Sequence, residues 1–149
     1  MLKLKKVTII NKSGRDTFMS KKTRMTKQRK AILNVLKNTD SHPTADWIYE
    51  EVKKEIPNIS LGTVYRNLNV LHDMGKIMIL DYGSSYSRFD GNPENHYHFH
   101  CKECGQVFDV KKPVMEDLNE SVEQDSPFEV DFHRLEFYGL CEKCKKNKN

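Results

Sequence analysis

All four cysteines of this chain stand in two Cys-x-x-Cys pairs, Cys101-Lys102-Glu103-Cys104 and Cys141-Glu142-Lys143-Cys144. Each pair makes a tight turn whose sulfurs converge, and four thiolates are the complement of a closed tetrahedral zinc site. The pairs lie farther apart than in a minimal zinc ribbon. A shared zinc ion therefore ties the end of a folded domain to its start rather than constituting the domain. A thioredoxin-like redox motif and two disulfides are the other readings of these residues. Two matched pairs with no cysteine left over favour zinc. Because cysteine is used up, a second metal site has to be built from imidazole and carboxylate.

The run His96-Tyr97-His98-Phe99-His100-Cys101 supplies the imidazoles. Read as a strand, it points His96, His98 and His100 to one face and Cys101 to the other. A second site is thus expected across the strand from the zinc. Asp90, Glu94 and Asp109 are the carboxylates near it in sequence, and His42 stands at the break before a helix. Imidazole and carboxylate without sulfur suit Fe(II), Mn(II) or Zn(II), and the oxygen ligands lean toward iron or manganese.

The chain has 149 residues, enough for one domain or two small ones. No apolar run approaches the roughly 20 residues of a membrane span, and the N-terminus lacks the apolar region of a signal peptide. The expected compartment is the reducing cytoplasm. The net charge of +4 conceals an asymmetry: residues 1–30 hold eleven Lys or Arg against one acid, Asp16, and the remainder is net acidic. A basic end on an acidic protein suits a polyanion partner; a solvated tail is the plainer reading.

Periodicity predicts a helix from Thr26 to Lys37 with Ile32, Val35 and Leu36 on one face. Thr44 caps a second, with Ile48, Val52 and Ile56 in register before Pro57. Ser60 caps a third, whose stripe is Leu61, Val64, Leu68 and Leu71, ending at Gly75. Residues 77–80 and 86–89, joined by a turn through Gly83, read as a β-hairpin. Three helices and a hairpin make a winged helix-turn-helix. The stripe leaves Thr63, Tyr65, Arg66, Asn67 and Asn69 on the other faces, side chains able to contact phosphates and base edges. Beyond Pro93 the expectation is strands at 96–101 and 107–110, a helix carrying Val114, Leu118 and Val122, and a long strand from Phe128 to Leu140. The fold class is α+β, organised as a basic arm (1–23), a DNA-binding domain (24–91), a hinge (92–95) and a metal-binding dimerisation domain (96–149).

These residues resemble the ferric uptake regulator family, and within it most closely the peroxide-sensing branch. The resemblance spans residues 24–144. It is carried by Thr26-Lys27-Gln28-Arg29, His42-Pro43-Thr44-Ala45-Asp46-Trp47-Ile48-Tyr49, Ser60 to Leu68, Ser87-Arg88-Phe89-Asp90, His96-Tyr97-His98, both cysteine pairs, and His133 to Gly139. It implies a structural zinc on Cys101, Cys104, Cys141 and Cys144, and a regulatory Fe or Mn ion on His42, Asp90, His96, His98 and Asp109. It also implies a homodimer on a palindromic operator in double-stranded DNA, gripped through Arg24, Lys27, Gln28, Arg29, Ser60, Thr63, Tyr65, Arg66 and Asn67. Asp at both 90 and 109 resembles the peroxide sensors, in which His42 and His96 would be the oxidation-sensitive ligands. The alternative within the family is an iron- or manganese-responsive repressor. Three features depart from the family pattern: residues 1–23 do not read as an amphipathic helix, Lys27 stands where Pro is common, and His100 occupies a usually apolar position.

An enzyme is not expected. The His-x-Glu and Pro-Cys-x-x-Cys patterns of a nucleobase deaminase are absent, and a four-thiolate zinc has no position open for water. A metal-storage module would leave the winged helix and basic arm without a purpose. His133 and Glu136 are read as structural residues and His72 as a surface residue.

Overall fold

The computed structural model describes residues 23–81 and 87–148. The proposed basic arm up to residue 22 and the hairpin turn through Gly83 lie outside the described residues. The described chain falls into two compact units, one formed by Arg24–Val114 with Arg134–Asn149 and another that includes Met115–His133.

In the larger unit three helices come first: α1 (Lys27–Lys37), α2 (Ala45–Glu55) and α3 (Leu61–Asp73). Each begins where the sequence places a hydroxyl cap. Thr26, Thr44 and Ser60 accept the backbone N–H of Arg29, Trp47 and Thr63. The end of α3 is a Schellman turn. Gly75 adopts φ 65°, its N–H donates to the His72 carbonyl at 2.8 Å, and the Lys76 N–H donates to the Leu71 carbonyl at 2.9 Å. Ile32, Leu36, Ile48, Val52, Val64, Leu68 and Leu71 form the buried core between the helices, closed by Ile77 and Phe89. Strands β1 (Met78–Leu80) and β2 (Arg88–Asp90) pair antiparallel, with Ile79 opposite Phe89, giving the expected hairpin.

The chain then enters a three-stranded sheet of order β4-β3-β5, with β3 (Tyr97–Cys101) central. β4 (Val107–Val110) runs antiparallel to it, setting His98 opposite Asp109. β5 (Glu136–Gly139) runs parallel on the other side, setting Cys101 opposite Gly139. A short helix, α5 (Glu142–Lys146), carries Cys144 and was not expected from the sequence. The compact unit continues through residues 92–95 without a break.

The smaller unit holds α4 (Asp117–Gln124), which carries Leu118 and Val122 as expected but not Val114, which precedes the helix; the Ser126 hydroxyl donates to the Val122 carbonyl at 2.6 Å. Two expectations are corrected. The long strand from Phe128 is only Glu136–Gly139, because Phe128 and Phe132 lie exposed in a segment that belongs to the other unit. His72 is half-buried rather than a surface residue, its Nδ1 within 3.4 Å of the Ile77 carbonyl oxygen.

Candidate metal centres

The four cysteines gather as the spacing requires. Cys101 ends β3 and Cys104 follows in a turn closed by the Gly105 N–H donating to the Cys101 carbonyl at 2.9 Å, with Gly105 at φ 70°. The Cys141 N–H donates to the Cys101 sulfur at 3.3 Å. Sγ atoms of Cys104 and Cys141 stand 3.8 Å apart. A tetrahedron with Zn–S bonds of about 2.3 Å has sulfur–sulfur edges of about 3.8 Å, so the cluster has the dimensions of a zinc thiolate site and not of a disulfide pair. Its electrostatics agree. Backbone N–H donors, Cys104 first and Cys141 next, pull the Cys101 thiol down to about 6. The neighbouring Cys141 sulfur, with burial, pushes the Cys144 thiol up. Four sulfurs cannot all ionise side by side without a cation.

On the other face of β3, ligand atoms of His42, Asp90, His96, His98 and Asp109 all lie within 4.8 Å of one another. The cross-strand pair His98 and Asp109 shares that face by register. His42 arrives from the loop capping α2, and Asp90 from the end of β2. Asp90 Oδ2 lies 3.0 Å from His96 Nε2, 3.3 Å from His98 Nε2 and 3.8 Å from His42 Nε2. Asp109 Oδ1 lies 2.7 Å from His42 Nε2, 3.0 Å from His96 Nε2 and 3.7 Å from His98 Nε2. Six-coordinate ions with bonds of about 2.1 Å hold neighbouring ligand atoms about 3.0 Å apart. Three nitrogens aimed at the same two oxygens form the edges of such a polyhedron; their protons could not satisfy all six contacts as hydrogen bonds.

Supporting contacts set the imidazole tautomer. His96 Nδ1 lies 2.7 Å from the Glu94 carbonyl oxygen, which can only accept, so Nδ1 carries the proton and a neutral ring turns its Nε2 lone pair inward. The Asn92 N–H donates to Asp90 Oδ1 at 2.8 Å and leaves Oδ2 for the cluster. His42, Asp90 and His98 are buried, whereas the Asp109 side chain is 47% exposed and opens the cluster to solvent. Burial would raise the Asp90 carboxyl, but hydrogen bonds from His96, His98 and the Asn92 amide hold it below the usual carboxylate range. The Asp90 carboxylate in turn lifts His96 to about 9 against the opposing effect of burial. Two carboxylates and three imidazoles, with no sulfur, make a donor set that fits Fe(II) or Mn(II).

His100, expected on the same face by alternation, is not in the cluster; its ring meets Tyr138 edge-on, 5.5 Å between centroids. Glu94 contributes its main-chain carbonyl rather than its carboxylate. The supports from Asn92 and Glu94 escaped the sequence reading, because main-chain groups leave no side-chain signature. His133 Nδ1 lies 2.6 Å from Asn119 Oδ1, a structural contact, and Glu136 accepts the Tyr138 hydroxyl at 2.6 Å.

The proposed DNA contacts divide. Arg24, Lys27, Ser60, Tyr65, Arg66 and Asn69 are exposed, and Gln28, Arg29 and Thr63 are half-buried. Asn67 departs from the expectation of an outward side chain. It is 7% exposed, because it shares the inward stripe with Val64 and Leu71, and its amide donates to the Gln28 side-chain oxygen at 3.4 Å.

The sequence model of the Ferric uptake regulator family matches residues 20–138. The chain is 44% identical over 126 residues to the peroxide-responsive repressor PerR of Staphylococcus epidermidis, covering 85% of this chain and 84% of that protein. Among solved structures it is similar to the Campylobacter jejuni peroxide stress regulator, with 34% identity, TM-score 0.68, and 78% and 88% of the two chains covered. It is also similar to the Helicobacter pylori ferric uptake regulator Fur, with 25% identity, TM-score 0.70, and 82% of each chain covered. The chain belongs to the ferric uptake regulator family.

Proposed function

We propose that this chain is a metal-dependent transcriptional repressor that responds to hydrogen peroxide by oxidation of a ligating histidine and then releases its operator. The observation that carries the reading is the sulfur-free cluster drawn from two parts of the chain: His42 and Asp90 from the winged helix, His96, His98 and Asp109 from the sheet. Its similarity to peroxide-responsive relatives supports the same conclusion.

His42, Asp90, His96, His98 and Asp109 would hold Fe(II), which would supply the redox chemistry by which one hydrogen peroxide is reduced to water while a ligating imidazole gives up two electrons and gains one oxygen. The chain's own contribution is mechanical. His42 stands just before α2, which packs on α1 and α3, and Asp90 ends β2, which packs on α1, so sharing an ion with β3 and β4 fixes the recognition helix α3 relative to the sheet. In a two-fold homodimer that fixes the spacing of two recognition helices, as a palindromic operator requires. Residues 92–95 are the hinge about which this arrangement opens, and residues 24–91 and 96–149 are the parts that move. His42 and His96 are the oxidation-sensitive ligands. Loss of either removes a tie across the hinge and shifts the population away from the DNA-competent arrangement. The sensor is consumed in responding, so it does not act as an enzyme.

Among the described residues β5 is an edge strand of its sheet, with Phe137 and Tyr138 42% and 53% exposed, and dimerisation uses that edge. Tyr65 and Arg66 on α3 and Ser60 at its N-cap, with Arg24 and Lys27 before and on α1, supply contacts to double-stranded DNA in the cytoplasm. The test is mass spectrometry of the zinc- and Fe(II)-loaded protein after one equivalent of peroxide, with operator binding followed in parallel. Gain of one oxygen at His42 or His96 with loss of operator binding is expected. Unmodified histidines with binding intact would replace this reading by an iron- or manganese-responsive repressor.

A further inference from the structure

Both metal centres reach one side chain that is a ligand of neither. Arg88 lies on β2 two residues before Asp90, so strand alternation sends both side chains to one face while Phe89 enters the core. One guanidinium nitrogen of Arg88 donates to the His42 carbonyl at 3.3 Å, and the other donates to the Gly105 carbonyl at 3.1 Å. His42 is in the His/Asp cluster. Gly105 directly follows Cys104, and its N–H closes the turn that carries Cys101 and Cys104. The main chain reinforces the first contact, since the Phe89 N–H donates to the Pro43 carbonyl at 3.0 Å.

We propose that Arg88 is a positioning residue that couples the two centres, transmitting the shape of the zinc-held Cys101–Gly105 turn to the loop that presents His42. This rests on the reading of the His/Asp cluster as a metal site. The fork geometry is what the task needs. Arginine presents two donors at a fixed separation and angle, so the two carbonyls cannot move independently while both bonds hold; a lysine ammonium carries a single pivoting nitrogen. Gly105 continues the turn that carries Cys101 and Cys104, and the direction of its carbonyl is set by its own backbone, at φ 70°. A disturbance of the turn is thereby felt at His42 without any change to a ligand.

The test is a double-substitution cycle on the zinc-loaded full chain, using Mn2+ alone as the probe. Arg88→Gln, which keeps one amide donor and loses the fork, is expected to weaken Mn2+ binding about 10- to 100-fold, the range for groups that orient ligands. Zinc content should stay at one per chain. Arg88→Lys is the second variant in case Arg88→Gln fails to fold, and it should recover less than half of the lost binding. Gly105→Ala strains the turn at its φ of 70° without a clash, since no atom lies within 4 Å of the added carbon. Alone it should also weaken Mn2+ binding; in the Arg88→Gln background it should have little further effect. Fully additive effects would overturn the coupling and leave Arg88 a local packing residue, and unchanged Mn2+ affinity in both Arg88 variants would overturn it outright. Failure of the unaltered chain to bind Mn2+ would instead overturn the reading of the cluster, and the coupling with it.

Discussion

His42 and Asp109 are 67 positions apart in the chain, yet His42 Nε2 and Asp109 Oδ1 stand 2.7 Å apart. One belongs to the loop that caps α2 and the other to β4 of the sheet, so this pair closes the cluster from its two sides. The imidazole is buried while the carboxylate is half-exposed. An ion can therefore enter past Asp109 and be fixed by His42.

If that closure is metal-dependent, His42→Ala removes a first ligand and should weaken Mn2+ binding by more than about 100-fold, beyond the effect of a supporting group. Zinc content and the helical circular dichroism should be unchanged, because His42 is a member of neither the thiolate cluster nor the apolar core. Trp47, the sole tryptophan, lines the same shallow pocket as His42, so its fluorescence in a Mn2+ titration reads the change.

Protonation opposes metal uptake in a predictable direction. His96 in the metal-free cluster is raised from 6.5 to about 9, so its proton has to leave when an ion binds. Mn2+ affinity should rise about tenfold per pH unit on approach to 9 and flatten above it. Stability of the metal-free, zinc-loaded chain should move the other way. The raised histidine contributes stability fully present below pH 6.5 and lost as pH rises through about 9. Asp90, held low, contributes stability present above the normal carboxylate range and lost as pH falls below it. Urea midpoints measured across pH 6–10 test the histidine sign, and those measured below pH 4 test the aspartate sign.

The zinc cluster bears first on stability. Cys144→Ser should abolish stoichiometric zinc and lower the thermal midpoint by more than about 10 °C, since structural zinc contributes folding free energy directly. The cause is local: β5 and α5 are tied to the end of β3 through Cys101, Cys104, Cys141 and Cys144. Calorimetry with metal analysis of the purified variant is the measurement.

Gly91 offers a test of how Asp90 is placed. A Cβ there would lie 3.0 Å from the carbonyl carbon and oxygen of Leu36, both backbone atoms of α1. Gly91→Ala should therefore cost about 1–3 kcal/mol of stability by overpacking. It should also weaken Mn2+ binding, because the strand end that moves carries Asp90. Chemical denaturation and Mn2+ titration of one preparation separate the two effects.

The sequence showed the parts of this molecule whose signal is periodic or compositional. Thr26, Thr44 and Ser60 cap the helices where hydroxyls precede apolar stripes, and the cysteine pairs meet because spacing alone dictates a knuckle. Alternation put His96 and His98 on the face opposite Cys101 but overreached to His100, whose ring is engaged by Tyr138 of β5, a neighbour only strand pairing reveals. Asn67 was misjudged because the α3 stripe is wide enough to bury a polar residue beside Gln28. His42 and Asp90 were legible only as a histidine at a helix break and a carboxylate near the histidine run. Their place rested on the family resemblance, and the contact geometry now supplies a physical reason for it. The strand expected from Phe128 failed because β-branched and aromatic composition cannot say whether a pairing partner exists.

The central claim is that five nitrogen and oxygen ligands from two parts of the chain hold one responsive ion apart from the thiolate zinc. X-ray absorption at the manganese edge of protein carrying one zinc and one manganese tests it directly. The account predicts a shell of five or six nitrogen and oxygen atoms at about 2.1–2.2 Å, three of them imidazole, and no sulfur. A sulfur scatterer in the manganese shell, or fewer than three imidazoles, would contradict it.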